Sequence, residues 1–326
     1  MRDHDIARFT VLLAAAVMGC GHRRPPYVAR VREANGVLIA VAAWGRDSQR
    51  LAGAVQAALD SAAGAEAMLA RLGDRAGTQV VAPGLATLVQ RALLLARASG
   101  GAFDPTGRSF RSASVDTARH TITVPAGVHL DLGEFGRGYA LDRALLALRG
   151  AADSAVISSG GQYLIAADWS GARIVGIVDP DNTLEPLARL TVPPGTWAVS
   201  MTSVAEARDE LIDPRTGKPA VRTRVVAAMA PAAADAGGWS AAFYVVGCDS
   251  ALALAPRVRT SVVCADGSVR WTPDLEGRVQ RVSDSAGSTE AVPARGPGRA
   301  PAAAADTSDS SSLRLPGSWR SRPPTR

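Results

Sequence analysis

Residue types that handle phosphate and protons gather in five short stretches of this chain. They are "SGGAFDPTG" (99–107), "DLGEFGRGYALD" (131–142), "ISSGGQYLIAA" (157–167), "LIDPRTGKP" (211–219) and "AAADAGGWSAAFYVVG" (232–247). In the second, Gly133, Gly136 and Gly138 follow the order G-x-x-G-x-G, the reverse of the dinucleotide fingerprint, and come after "GVHLDL" instead of a long apolar strand. A Rossmann phosphate loop is therefore a poor reading. Gly136 and Gly138 still permit close approach or positive φ, and a helix beginning near Tyr139 offers free N–H groups to an anion; a plain turn before a helix explains the same letters. Asp104 and Thr106 fit either a self-contained Asp-Pro turn or the wall of a pocket. Gly160-Gly161 fits either a tight connection between strands or a place where a ligand nears the backbone. Asp213 and Arg215 either pair with each other or leave the guanidinium to face phosphate.

These stretches need elements to position them. "VLIAVAAWG" (37–45) reads as an early buried strand, and Ala-rich runs over 50–73 and 83–101 carry helical spacing, the second framed by Pro83 and Gly100-Gly101. "YALDRALLAL" (139–148) gives a further helix. Strand-like pieces and turns then alternate through "SAVISSGGQYLIAAD", "ARIVGIVDP" and "WAVSMTSVA", and a small-residue helix covers about 232–246. Asp266-Gly267 is a hairpin turn between "SVVC" and "SVRW". Helices first, then strands with an intervening helix, argue for an α+β fold over a regular βαβ array.

The chain has 326 residues, 47% of them hydrophobic, enough for a substantial core in one or two domains. Its net charge of +6 is dispersed, with Lys218 the single lysine and no basic block interleaved with aromatics, so nucleic acid is not an expected partner. The first twenty residues, "MRDHDIARFTVLLAAAVMGC", hold the apolar run Phe9–Met18, too short to cross a bilayer but suited to an export signal. Its "VMGC" ending resembles a bacterial lipoprotein signal, which implies lipidation at Cys20 and a membrane anchor. The expected organisation is a signal (1–20), a linker (21–30), one folded domain (31–275) and a disordered Pro/Ser/Ala/Arg-rich tail (276–326). Cys248 and Cys264 remain as either a disulfide or two buried thiols.

In order and separation the five stretches resemble the ApbE family, the FAD:protein FMN transferases, over about residues 31–270. The resemblance implies a flavin-transferase fold with a mixed or antiparallel sheet and flanking helices. It implies an enzyme of the cell envelope that takes FAD as substrate and, with Mg²⁺, transfers the FMN moiety to a Ser or Thr hydroxyl of an acceptor flavoprotein, such as a membrane redox-complex subunit, releasing AMP. FAD-binding roles would fall to Phe103, Asp104, Thr106, Asp131, Gly133, Gly136, Gly138, Tyr139, Asp142, Gly160, Gly161, Asp213, Arg215 and Thr216. Asp235 would hold the metal, its alternative being a helix-start carboxylate satisfying backbone N–H groups. Arg137, where the family has Lys, would offset phosphate charge, and Glu210, where the family has His, would assist proton transfer. The family's Thr four residues after the metal Asp is Trp239 here; anchoring the segment on "AAFYVVG" instead puts Gly237 at the Asp position and Ala241 at the Thr position. These departures support a second reading, a catalytically impaired flavin-binding or assembly protein.

Overall fold

The computed structural model describes residues 25–72, 76–167, 173–182, 185–203, 211–220 and 223–282. Strands β1 (Tyr27–Ala34) and β2 (Val37–Trp44) form a hairpin whose Asn35 and Gly36 both take positive φ, 52° and 77°, as a two-residue turn matched to strand twist requires. Helix α1 (Ser48–Ala70) starts at Asp47, whose carboxylate accepts the N–H groups of Gln49 and Arg50 at 2.9 Å. There follow β3 (Gly77–Val80), α2 (Pro83–Ala98), β4 (Ser114–Asp116), β5 (Thr121–Val124), α3 (Gly133–Leu148), β6 (Ser154–Ser159), β7 (Gln162–Ala167), β8 (Arg173–Ile177) and β9 (Ala188–Val192). The chain continues through β10 (Gly195–Ser203), β11 (Ile212–Asp213), β12 (Lys218–Pro219), β13 (Val225–Ala230), α4 (Ala233–Val246), α5 (Cys248–Leu254), β14 (Ser261–Ala265), β15 (Val269–Trp271) and β16 (Val279–Arg281).

Eight strands make the main sheet, in the order β1-β2-β6-β7-β10-β13-β14-β15, with every neighbouring pair antiparallel. The expected α+β architecture is what the structure shows. Side chains alternate across the central strands. Val226 and Ala228 of β13 join a core with α2 and α4, whereas Val225, Ala227 and Met229 point to the opposite core. That second core is closed by the small sheet β16-β9-β8 through Val175, Ile177, Ala188 and Leu190. A strand covered on both faces has no polar side, which explains the unbroken apolar run "VVAAMA". Cys248 and Cys264 are joined in a disulfide, Cα to Cα 5.9 Å, tying the start of α5 to β14.

Three expectations need correction. The helix expected from Tyr139 begins at Gly133, so "GEFGRG" is helix and not loop. The expected linker over 21–30 gives way to β1 at Tyr27, an edge strand with too little buried surface to show an apolar alternation. The folded part also runs past residue 275: β16 pairs with β9 through Val279–Leu190, and the Thr191 N–H donates to the Arg278 carbonyl at 2.8 Å. A three-residue strand is too short to leave a periodic signal. The segment expected to be a signal (1–20), with Cys20, and the residues from 283 onward lie outside the described residues.

Candidate active site

Helix α4 is apolar nearly all round and buried, and α3 packs along its first turns. The contact is close because Gly138 has no side chain: a Cβ there would stand 2.5 Å from Ala234 N and nearer still to the Ala233 carbonyl. One turn further along α3, the Asp142 carboxylate accepts the Ala233 N–H at 2.8 Å and the Ala234 N–H at 3.1 Å. Ala232, at the start of α4, supplies no side-chain cap, so Asp142 caps the helix from another element. Gly138 and Asp142, expected at a cofactor, are thus helix-packing and capping residues.

Burial pushes the Asp142 carboxyl above its ordinary 3.8, opposed by the two N–H bonds and by Arg91 and reinforced by Asp235. An acid held up in the folded chain contributes stability that is fully present below the unfolded value and lost as pH rises through the folded one. Asp142→Asn is expected to flatten that descent, while Asp142→Ala, which strands two N–H groups, should cost about 2 kcal/mol. Denaturant melts of the three proteins across the acid range check both; an Ala variant as stable as the parent would refute the capping role.

A second contact forms where α3 meets the β6–β7 turn. Gln162, only 1% exposed, donates Nε2 to both the Glu134 carbonyl and its Oε2 at 2.7 Å, and Glu134 Oε1 pairs with Arg137 at 2.5 Å. Arg137 lies over Gly160, whose φ is +56°; a Cβ at Gly160 would come 3.3 Å from Arg137 Nη1. Gly160 therefore both turns the chain and admits the guanidinium. Gly161 is buried, its carbonyl accepting the Met201 N–H at 2.9 Å. Ser159, Gln162 and Ser200 are register partners across three strands and so share one face. On that face Ser200 and Thr202 reach the Ser240 hydroxyl of α4 at 2.9 and 3.1 Å, and Gln162 Oε1 and Ser159 Oγ are buried with no hydrogen-bond partner among the described residues. A polar seam runs beneath α4.

Beside this contact, a cleft of about 240 Å³ opens at the start of α3, lined by Glu66, His129, Asp131, Gly133, Gly136 and Arg137 among others. It is small against the ~300–1,000 Å³ of typical ligand pockets, so it would admit part of a dinucleotide. Gly133, at φ +47°, starts the helix here, and its N–H donates to Asp131 Oδ1 at 2.8 Å. Burial raises the Glu66 carboxyl, Arg137 lowers it and Glu134 raises it. Of the anticipated residues, Asp131, Gly133, Gly136 and Arg137 line this cleft.

The two Asp-Pro loops are built by their own side chains. Asp104 Oδ1 accepts the Thr106 N–H and hydroxyl at 2.8 and 2.6 Å, its Oδ2 accepts the Phe110 N–H at 3.2 Å, and Thr106 Oγ1 accepts the Ser109 N–H at 2.9 Å. Phe103 is buried 6.1 Å from the Phe135 ring, and the Pro105 carbonyl accepts the Asp131 N–H at 2.7 Å, joining this loop to the cleft. Arg215 Nε and Nη2 bind Asp213 at 2.9 and 2.8 Å; this bonding holds the Asp213 carboxyl below its ordinary value. Thr216 closes the same turn through its N–H to the Asp213 carbonyl at 3.1 Å. Asp104, Thr106, Asp213, Arg215 and Thr216 are turn residues in this structure. The loops nevertheless abut, since Arg108 lies over Gly217 and Arg215 lies against Gly101. Glu210 falls outside the described residues.

Asp235 sits in the first turn of α4, where Arg91 of α2 pairs with it at 2.7 Å. Tyr139 is partly buried between the cores and lies near Gly84 at the start of α2. The Arg91 and Gln162 contacts were not anticipated. The one signal for Arg91 is that α2 carries only two charged residues, Arg91 and Arg97, so any carboxylate partner must come from another element.

The ApbE family model matches residues 107–264. A relative from Treponema pallidum (strain Nichols), an FAD:protein FMN transferase, is 30% identical over an alignment 354 positions long with its gaps, which covers 84% of this chain and 95% of that protein. The ApbE protein of Thermotoga maritima MSB8 superposes with a TM-score of 0.66 at 19% identity, over 77% of this chain and 99% of that one. The apo form of the Pseudomonas stutzeri flavinyl transferase ApbE gives 0.63 at 18% identity, over 79% and 98%.

Proposed function

This chain belongs to the ApbE family and transfers FMN from FAD, and we propose that it does so from the cleft at the start of α3, with Arg137 facing the pyrophosphate. In the proposed reaction a Ser or Thr hydroxyl of an acceptor protein attacks the FMN-side phosphorus. A new P–O bond forms, the pyrophosphate P–O bond breaks, AMP leaves, and the hydroxyl proton passes to a base for which Glu210 is the candidate. Negative charge grows on the phosphoryl oxygens, so a fixed cation at hydrogen-bond range lowers the barrier. Arg137 is held for that task by Glu134 and the open face of Gly160. This placement, in a chain that matches a transferase over 84% of its length, carries the reading.

The Mg²⁺ implied by the resemblance does not fit the residues present. Asp235 is engaged by Arg91, Gly237 has no side chain, and among the described residues no three His, Cys, Asp or Glu converge on one point. No step is routed through it. For location we propose an exported, lipid-anchored envelope protein that acts on a subunit of a membrane redox complex. The Cys248–Cys264 disulfide supports export, since such bonds persist in oxidising compartments.

Incubation of the purified protein with FAD and an authentic acceptor should add the mass of one FMN to the acceptor. FAD binding without an adduct would favour the flavin-binding or assembly reading, and neither binding nor adduct would reject both.

A further inference from the structure

The resemblance assigns a divalent cation to the start of α4, and neither register of that segment supplies its ligands. With Asp235 as ligand, the carboxylate is already matched by the Arg91 guanidinium at 2.7 Å. With position 237 as ligand, the residue is a glycine, and a Cβ there would stand 2.7 Å from the Glu134 carbonyl carbon and 2.9 Å from Gln162 Nε2. No carboxylate can be placed in that space. The neighbouring Glu134 carbonyl is itself taken by Gln162 Nε2 at 2.7 Å.

What stands at the helix start is a fixed cation. Arg91 projects from α2, is tied to Asp235, and lies 5.7 Å over the Phe135 ring, so its orientation is set from two sides. Its side chain is 40% exposed, and among the described residues its one hydrogen bond is Nη2 to Asp235 Oδ1, which leaves donors of a five-donor group for phosphate oxygens. Gly237 and Gly238 make the close packing possible: the first admits Glu134 and Gln162, and the second admits Leu95 of α2 and Phe135, so α2 and its arginine come up to α4.

We propose that the start of α4 takes no divalent cation and that Arg91, which is not itself among the residues lining the cleft at the start of α3, supplies the positive charge there to the phosphates of FAD. The ligand named here rests on the flavin reading above; the claim about the metal does not. The test titrates Mn²⁺ into the metal-stripped protein by electron paramagnetic resonance, with and without FAD, and measures FAD affinity by flavin fluorescence in Mg²⁺ and in EDTA.

No stoichiometric Mn²⁺ is expected in either arm, and FAD affinity should agree within about two-fold between the buffers. Arg91→Ala should weaken FAD binding about ten-fold in EDTA, and Arg91→Lys less, each checked for a parent-like circular-dichroism melt. One bound Mn²⁺ that is lost in Asp235→Asn would overturn the proposal, as would an FAD affinity that collapses in EDTA or is unchanged in a folded Arg91→Ala. If the parent protein binds no FAD in either buffer, the flavin reading fails and takes the Arg91–pyrophosphate contact with it, while the Mn²⁺ titration still decides the metal.

Discussion

Gly138→Ala is expected to destabilise this protein severely. The added methyl would collide with main chain, the Ala233 carbonyl and Ala234 N, and neither can swing aside as a side-chain end would. Overpacking ordinarily costs about 1–3 kcal/mol, and here α3 must also part from α4 and loosen the Asp142 cap, so the loss should reach or exceed about 3 kcal/mol. Against a typical total of about 5–15 kcal/mol, that is a large fraction of the whole. Gly64→Ala in α1 is the control: a Cβ there meets nothing within 4 Å, and replacing a mid-helix glycine should stabilise by up to about 1 kcal/mol. Urea melts of the pair read the contrast. Equal midpoints would show that the α3–α4 contact is looser than described.

Arg137→Ala should lower the rate of FMN transfer by about 10²-fold, the scale seen when one preorganised donor to a developing oxyanion is removed. If Arg137 faces the pyrophosphate as proposed, the fall belongs mainly in kcat, because phosphoryl charge grows in the transition state. Arg137→Lys restores the charge without the planar fork and should recover part of the rate. Single-turnover kinetics with saturating FAD separate the two variants from a binding defect. An Ala variant that transfers at the parent rate would reduce Arg137 to a structural partner of Glu134.

The long helices were legible because Ala spacing, Pro83 and Gly100-Gly101 are local signals, and the Asp266-Gly267 hairpin likewise announces itself. The start of α3 was not. Gly136 and Gly138, inside the helix, each weigh about 1 kcal/mol against it, and the packing of α3 on α1 and α4, to which both glycines give close approach, outweighs that cost. Of the residues named from the five stretches, Asp131, Gly133, Gly136 and Arg137 line one cleft. Individual roles were harder to read, because Asp104 and Asp213 spend their acceptors on their own turns. The decisive pairing, Arg91 with Asp235, joins residues 144 apart, a distance over which no spacing rule operates.

The cap on α4 also bears on how the chain acquires its structure. The acceptor for the Ala233 N–H is 91 residues upstream, so the first turn of α4 cannot be completed as the helix emerges. It must wait until α3 is formed and a long loop has closed, a step whose entropy delays every contact that depends on it. Opening of that turn is then tied to separation of the two helices. The first turn of α4 is in this way expected to form late and to be held by the cooperativity of the whole domain more than by local helix formation.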